Sequence, residues 1–425
     1  MLSRGGPATG GGERMSGLRR RLSTADHPFD GWLVLASLAL LLTGWVMVTS
    51  ASSEVASSLT GNAWYFSLRH GTFLLVALAV GALALRVPLA WWKANGPLLL
   101  LVGLVLLLLV LLVGREVNGS RRWLSLPGVP FNLQASEVAK LCLIVYLAGY
   151  LERFLPLVRR EWGAFLRPLV VMALVAGLLI LEPDYGAVVV MTGAVMGMLL
   201  MAGAPWGRFL VLLLLVGALG ALAAVAEPYR MARLTSFADP WADQFASGYQ
   251  LTQALIAFGR GHWLGMGLGN SVQKLFYLPE AHTDFVFAVL AEELGLVGAI
   301  AVVGLFALLI WRAMAVGRRA ELAGLAFAAY LSYGFALVIG AQAFINIAVS
   351  TGMLPTKGLT LPLLSYGGSS LVVSCVMVAL LLRADIETRE ARRRARPTAT
   401  RSAPPRKASG PGTPPGPGKR QGHAS

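Results

Sequence analysis

Apolar and polar positions alternate along this chain in long blocks. Apolar runs occupy about 31–50, 70–87, 97–114, 137–153, 166–181, 186–203, 208–226, 285–311, 321–349 and 367–383, with polar stretches between them. Each run is near or above the roughly 17 residues that span the hydrocarbon core of a bilayer as a helix. Backbone groups in lipid must satisfy one another, so runs of this length predict helices. The pattern predicts an all-α polytopic membrane protein of about ten transmembrane helices. The longest polar interval, 227–284, predicts a large extracytoplasmic loop between helices 7 and 8.

Composition agrees with this reading: 56% of the 425 residues are hydrophobic and 13% are charged, against roughly 25% charged in a soluble domain. The net charge of +15 speaks to topology and lipid headgroups before nucleic acid, and no nucleic-acid partner is expected. With the N-terminus inside, the inner loops and helix ends hold 15 Lys and Arg, the outer loops nine, and the tail 11 more on the inside. This bias predicts cytosolic termini for a multi-pass protein of the cytoplasmic membrane. Residues 1–30 read as a disordered cytosolic arm without a signal peptide, and 384–425 as a disordered basic cytosolic tail lying on anionic lipid. Eight of the nine outer charges fall in the loops 115–136, 227–284 and 350–366, which suggests that these loops bind something anionic. Cys142 and Cys375 both lie in apolar runs and offer neither a disulfide framework nor a metal site.

Nucleotide-binding glycine loops and zinc-ligand spacings are missing, and Ser136 and Lys140 stand one residue too far apart for an S-x-x-K acyl-serine site. Chemistry must come from loops and buried polar residues. In Pro279–Phe285 an imidazole, His282, and a carboxylate, Asp284, sit where a polar loop becomes a membrane helix. Asp284 reads either as an N-cap or as a general base at the membrane surface. Arg121 and Arg122 read as lipid anchors or as a guanidinium fork for a diphosphate. Ser136 or Glu137 is expected to cap the fourth helix, and Lys140, a turn inside it, to extend a basic lining if it snorkels outward. Glu182 to Gly186 form a tight turn with two carboxylates, Glu182 and Asp184. Beyond Gln250, the glycines 259, 261, 265, 267 and 269 allow close backbone approach. Glu292 and Glu293 are expected about 12–14 Å deeper than Asp284 on a continuous helix, facing a polar interior or a cation such as Arg86 or Arg312. Prolines and glycines from Pro355 to Ser370 break helicity, and Ser365, Gly367, Gly368, Ser369 and Ser370 lie at a helix N-terminus suited to an anion.

Six of these stretches together resemble the SEDS family, the shape, elongation, division and sporulation proteins: VNGSRRWL (117–124), QASEVAK (134–140), EPDYG (182–186), GYQLTQALIAFGRGHWLGMGLGNS (248–271), PEAHTDFVFAVLAEELG (279–295) and TGMLPTKGLTLPLLSYGGSS (351–370). The resemblance covers about 30–390, and TKGLTLP is similar to the division-type members. It implies a peptidoglycan glycosyltransferase that polymerises lipid II on the outer face of the membrane, at the division septum. It implies a class B penicillin-binding transpeptidase and other division proteins as partners, and suggests Mg²⁺ or Mn²⁺ on the diphosphate, with no cofactor firmly required. The family's catalytic aspartate corresponds to Asp284, with His282 as orienter or alternative base. Its basic residues correspond to Arg122, Lys140 and Lys357, and the Ser365–Ser370 amides join them at the diphosphate. Glu137, Asp184, Gln250, Glu292 and Glu293 are supporting polar residues. The rival reading is a lipid II flippase, which ten helices, a basic tail and buried acids would also suit; a pure scaffold leaves the clustered outer charges unexplained.

Overall fold

The structure, a computed structural model, describes residues 29–395 except 118–119, 126–131, 226–236, 238, 243, 247 and 356–357, together with residue 416. The arm before residue 29 and the tail beyond 395, apart from residue 416, lie outside the described residues. The elements are α1 Gly31–Thr60, α2 Tyr65–Arg86, α3 Leu89–Ala94, α4 Gly96–Val113, β1 Arg115–Val117, β2 Ser120–Ser125, β3 Asn132–Gln134, α5 Ala135–Arg160, α6 Trp162–Leu181, α7 Tyr185–Met201, α8 Trp206–Val225, α9 Tyr249–Gly261, α10 Val286–Leu322, α11 Ala326–Ser350 and α12 Gly368–Ala395. Eight helices are long and apolar enough to cross a bilayer, and α7 and the Trp206–Ala218 part of α8 are shorter apolar helices. The ten apolar runs are thus ten helices.

Local chemistry sets the helix ends. Asp30 starts α1 by accepting the Leu33 N–H, and Gly61, at φ 71°, closes it in the left-handed conformation that glycine adopts without penalty. α1 continues past its apolar run to Thr60. α12 likewise continues beyond residue 383 to Ala395. Pairs one turn apart, Arg383 with Glu387 and Arg389 with Asp385, support that extension. The bundle is centred on α11 and α12, the two helices whose apolar stretches are most deeply buried. α11 packs on α10, and α12 packs along α2.

At the face where α1 begins, Asp30 accepts from Arg312 and Arg319, and Arg319 also reaches Asp385. This ionic knot ties α1, α10 and α12 together. The opposite face carries the loops. There the interval 115–134, read from sequence as a loop, forms a three-stranded antiparallel sheet in the order β1-β2-β3, pairing Glu116 with Arg121 and Trp123 with Gln134. The turn dipeptides Asn118-Gly119 and Pro127-Gly128 fall between its strands, outside the described residues.

α10 is not the continuous helix that its apolar run predicted. It breaks at Gly295, where φ is 68° and ψ is −169°. The segment 286–294 is a short helix packed on the loop 262–270, where Met266 and Gly267 donate to the carbonyls of Glu292 and Glu293. The glycines permit this contact. A Cβ on Gly261 would lie 2.0 Å from the Ala291 oxygen, and one on Gly265 would lie 2.2 Å from the Glu293 oxygen.

Candidate active site

Four segments meet on the loop face: the turn 182–186, the loop 262–285, the loop 355–367 and strand β2. Small residues mark where they touch. A Cβ on Gly186 would strike the Leu359 side chain at 2.6 Å, and one on Gly358 would lie 3.0 Å from Asp284 Oδ2. Two amide side chains of α11, one helical turn apart, hold the loops from beneath. Asn346 Nδ2 donates to the main-chain oxygens of Asp284 (2.8 Å) and Leu359 (2.5 Å), and Gln342 Nε2 donates to that of Thr360 (3.0 Å).

The turn that presents Asp284 winds around one carbonyl. Glu280 sits at φ 55°, a left-handed conformation uncommon outside glycine. Its main-chain oxygen receives the N–H groups of Thr283, Asp284 and Phe285, and Thr283 Oγ1 donates to its carboxylate at 2.6 Å. The N-cap role open to Asp284 is not found. The N-cap of α10 is Phe285, with no side-chain cap bond. No cap bond takes up the Asp284 carboxylate among the described residues.

Its electrostatics suit a base. Burial, with the charges of Glu280 and Asp184 adding and that of Arg122 opposing, pushes the Asp284 carboxyl up to about 7. Arg122 is fixed on the neighbouring turn, where Nε donates to the Glu182 carbonyl and Nη2 to the Pro183 carbonyl. Arg121, next to it in β2, is exposed and pairs with Glu116. Asp184 caps α7 through the Ala187 N–H. His282 lies between Phe66 and Tyr366, with ring centroids 5.1 and 5.5 Å away. Burial holds its ring below the ordinary histidine value, against the charge of Glu280. The His282 carbonyl accepts the Tyr366 N–H, joining the two loops.

Other candidates stand elsewhere or in other roles. Lys140 does not snorkel; it is 1% exposed and donates to Glu137 (2.7 Å) and Gln342 (2.6 Å). It therefore supports the amides under the loops instead of lining their surface. The N-cap of α5 is Gln134, without a side-chain cap bond, so neither Ser136 nor Glu137 caps it. Lys357 lies outside the described residues. The hydroxyls near α12 are taken up internally. Ser365 accepts the Leu361 N–H, Ser369 bridges Gln134 N and Asn132 O of β3, and Ser370 pairs with Thr360. Gly367 and Gly368 remain partly exposed beside them, and Gln250 is partly exposed in the first turn of α9.

Glu292 and Glu293 are both fully buried, with partners other than Arg86 or Arg312. Glu292 takes Arg260 Nε (2.9 Å), Ser271 Oγ and the amides of Val272 and Gln273. Glu293 takes Lys274 Nζ (3.0 Å), Ser50 Oγ and the Ser271 amide. The break at Gly295 places both acids beside the folded loop, so they clamp the segment that carries Asp284. Gln342 and Asn346 escaped the sequence reading, although polar amides four apart in an apolar helix are a usable signal. Among the described residues no group of three or more His, Cys, Asp or Glu is placed to hold a metal ion.

Comparison with known proteins places this arrangement. A family model described as "Cell cycle protein", covering FtsW, RodA and SpoVE, matches residues 31–390. The chain is 80% identical over 389 residues to a protein of Halomonas elongata named probable peptidoglycan glycosyltransferase FtsW, covering 92% of this chain and 98% of that one. Its fold is similar to a chain in a solved structure described as the structural coordination of polymerization and crosslinking by a peptidoglycan synthase complex. There the TM-score is 0.71 at 31% identity, covering 85% of this chain and 98% of the other. The crystal structure of the rod shape determining protein RodA of Thermus thermophilus gives a TM-score of 0.62 at 31% identity, covering 84% and 96%.

Proposed function

We infer that this chain, which belongs to the FtsW, RodA and SpoVE family of SEDS membrane proteins, is a division-type peptidoglycan glycosyltransferase, and we propose that Asp284 is its general base. One observation carries the assignment of the base. Asp284 is the acid at the meeting point of the loops, free of capping duty and held near neutrality in its proton affinity. A base poised near the working pH combines availability with driving force.

The donor in this proposal is lipid II, a sugar on a lipid diphosphate, and the acceptor is a sugar hydroxyl of a second such molecule or of the growing strand. The hydroxyl attacks the anomeric carbon, its proton passes to Asp284, and the bond to the diphosphate breaks. An α-linked donor yields a β-linked product by inversion, so one base suffices and no covalent enzyme intermediate forms. Arg122 and the first-turn amides of α12 around Gly367 and Gly368 face the charge that develops on the leaving diphosphate. Neutral His282 positions the turn. Lys140, with Glu137 and Gln342, keeps the 355–367 loop in place. The described residues do not form a metal cage, so Mg²⁺ or Mn²⁺ would arrive on the diphosphate, and no step is assigned to it. The acids that suited a flippase on sequence, Glu292 and Glu293, are occupied in holding a loop. A class B penicillin-binding transpeptidase and further division proteins are the proposed partners, at the septum and with both termini in the cytosol.

The test is polymerisation of labelled lipid II by the purified protein with its transpeptidase partner, wild type beside Asp284→Asn. Glycan chains from the wild type and a loss of about 10²–10⁴-fold in the variant, with an unchanged elution profile, are expected. Retained turnover in the variant removes Asp284 from the role.

A further inference from the structure

Most deeply buried acids of this protein are bound to cations. Glu137, Glu292, Glu293, Asp30 and Asp385 each accept from a lysine or arginine. Glu182 does not. It is 0% exposed, and neither carboxyl oxygen has a hydrogen-bond partner among the described residues. Two residues on, Asp184 commits Oδ1 to the Ala187 N–H and leaves Oδ2 unpartnered. Arg122 turns its donors to the carbonyls of Glu182 and Pro183. Its charge nonetheless acts on both Glu182 and Asp284, and so does that of Asp184. Three carboxyls therefore share one guanidinium in a largely dry turn. Ionising all three would leave excess negative charge with no bonded counter-ion, a state that a bound proton relieves.

We propose that Glu182 is a positioning residue that works in its neutral, proton-bearing form, filling the turn beside Asp184 without competing for Arg122, which stays the counter-charge of Asp284. The inference rests on Asp284 being the base. Burial, reinforced by the Asp184 charge and opposed by Arg122, pushes the Glu182 carboxyl up to about 8. The charged groups that act on it are Asp184 on its own turn and Arg122 from β2. When Glu182 loses its proton, the new carboxylate draws on Arg122. Asp284 then loses its counter-charge, and its proton affinity rises. Arg122, drawn to Glu182, also no longer faces the charge on the leaving diphosphate, and the rate falls on the alkaline side of the optimum.

The experiment follows wild type and Glu182→Gln across the pH range, by two readouts. Initial rates of lipid II polymerisation in the presence of the transpeptidase partner report the consequence. The infrared C=O band of a protonated carboxyl, taken as the wild-type minus Glu182→Gln difference, reports the proton itself. The wild-type rate is expected to be about tenfold below its maximum at pH 9, one unit above the Glu182 value of about 8. Glu182→Gln is expected within about twofold of wild type at pH 7 and without that decline. The difference band should be present at pH 7 and vanish with the same midpoint. An absent band at pH 7, an identical alkaline decline in both proteins, or a folded but inactive Glu182→Gln each overturn the proposal. Failure of the polymerase reading looks different: no glycan from wild type at any pH, with the band still deciding the state of Glu182.

Discussion

Replacing Lys274 by methionine removes the cation from a pair in which Glu293 is fully buried and the lysine side chain is 5% exposed. The methionine fills most of the same space, so the loss is electrostatic. Breaking a buried pair from one side costs roughly 3–5 kcal/mol, because the remaining charge stays desolvated. Here Ser50 still donates to both Glu293 oxygens at 2.6 and 2.8 Å, and the Ser271 amide still approaches at 3.4 Å. The lower end, about 3 kcal/mol, is therefore appropriate. The cost falls on the loop that carries Asp284, since Lys274 Nζ also bonds the Gly269 carbonyl and Ser50 of α1. In hydrogen–deuterium exchange on the detergent-solubilised protein, amides of 262–285 should exchange about 100-fold faster, the population change equivalent to that free energy. Adding Glu293→Gln to Lys274→Met removes the stranded charge and should recover a large part of the protection. Unchanged exchange in the single variant, or a double variant as loose as the single, refutes the clamp.

Four further outcomes are expected. Polymerisation should fall about tenfold per pH unit below the Asp284 value of about 7, since the base acts as the anion. Arg122→Met should move that acid limb to higher pH, because the guanidinium charge opposes the rise; rate profiles showing the opposite shift would contradict the placement of Arg122. Gly358→Ala puts a Cβ 3.0 Å from Asp284 Oδ2, so kcat should drop about tenfold while the melting temperature stays put. Asn346→Ala withdraws one amide from the oxygens of both Asp284 and Leu359. Each buried acceptor left unpaired costs about 1–3 kcal/mol, and exchange should accelerate in both loops together; acceleration in one alone would separate them.

The helices were legible because bilayer spanning demands long apolar runs, and all ten runs appear. Asp284 was legible as a polar residue at a run's edge, but sequence could not show the turn that presents it, which winds around the left-handed Glu280 and puts Phe285 at the N-cap. Hydropathy could not reveal the break at Gly295, because the apolar residues 286–291 and the apolar span after Gly295 fall in one run. The partners of Glu292 and Glu293, Arg260 and Lys274, were hidden with it. The lysine at 140 is ambiguous by sequence, since a long side chain can turn either way along a helix; its direction is decided by Glu137 on its own helix and Gln342 on α11. The sheet at 115–134 was hidden because its strands are only three to six residues long.

The two ends of α10 bear on whether this bundle moves a substrate or holds one still. Alternating access needs one group of helices to rock against another, with comparable stability in both states. At the loop face, Glu292 and Glu293 bind the segment before the Gly295 break to Arg260, Lys274 and Ser50 of α1. At the other face, Arg312 and Arg319 bind the same helix to Asp30 of α1 and Asp385 of α12. A rocking motion of α10 against α1 would break the Ser50–Glu293 hydrogen bonds at one end and, at a cost of several kcal/mol, the ion pairs of buried Asp30 at the other. A glycosyl transfer asks for the reverse, a carboxylate held to within about half an ångström of its working position by a supporting shell. Asn346, Gln342 and the Glu280 turn supply that shell through main-chain bonds, and among the described residues none of these bonds uses the Asp284 side chain. Rigidity in the backbone together with freedom at one carboxylate is the signature of a fixed reaction centre, and a moving gate has no use for it.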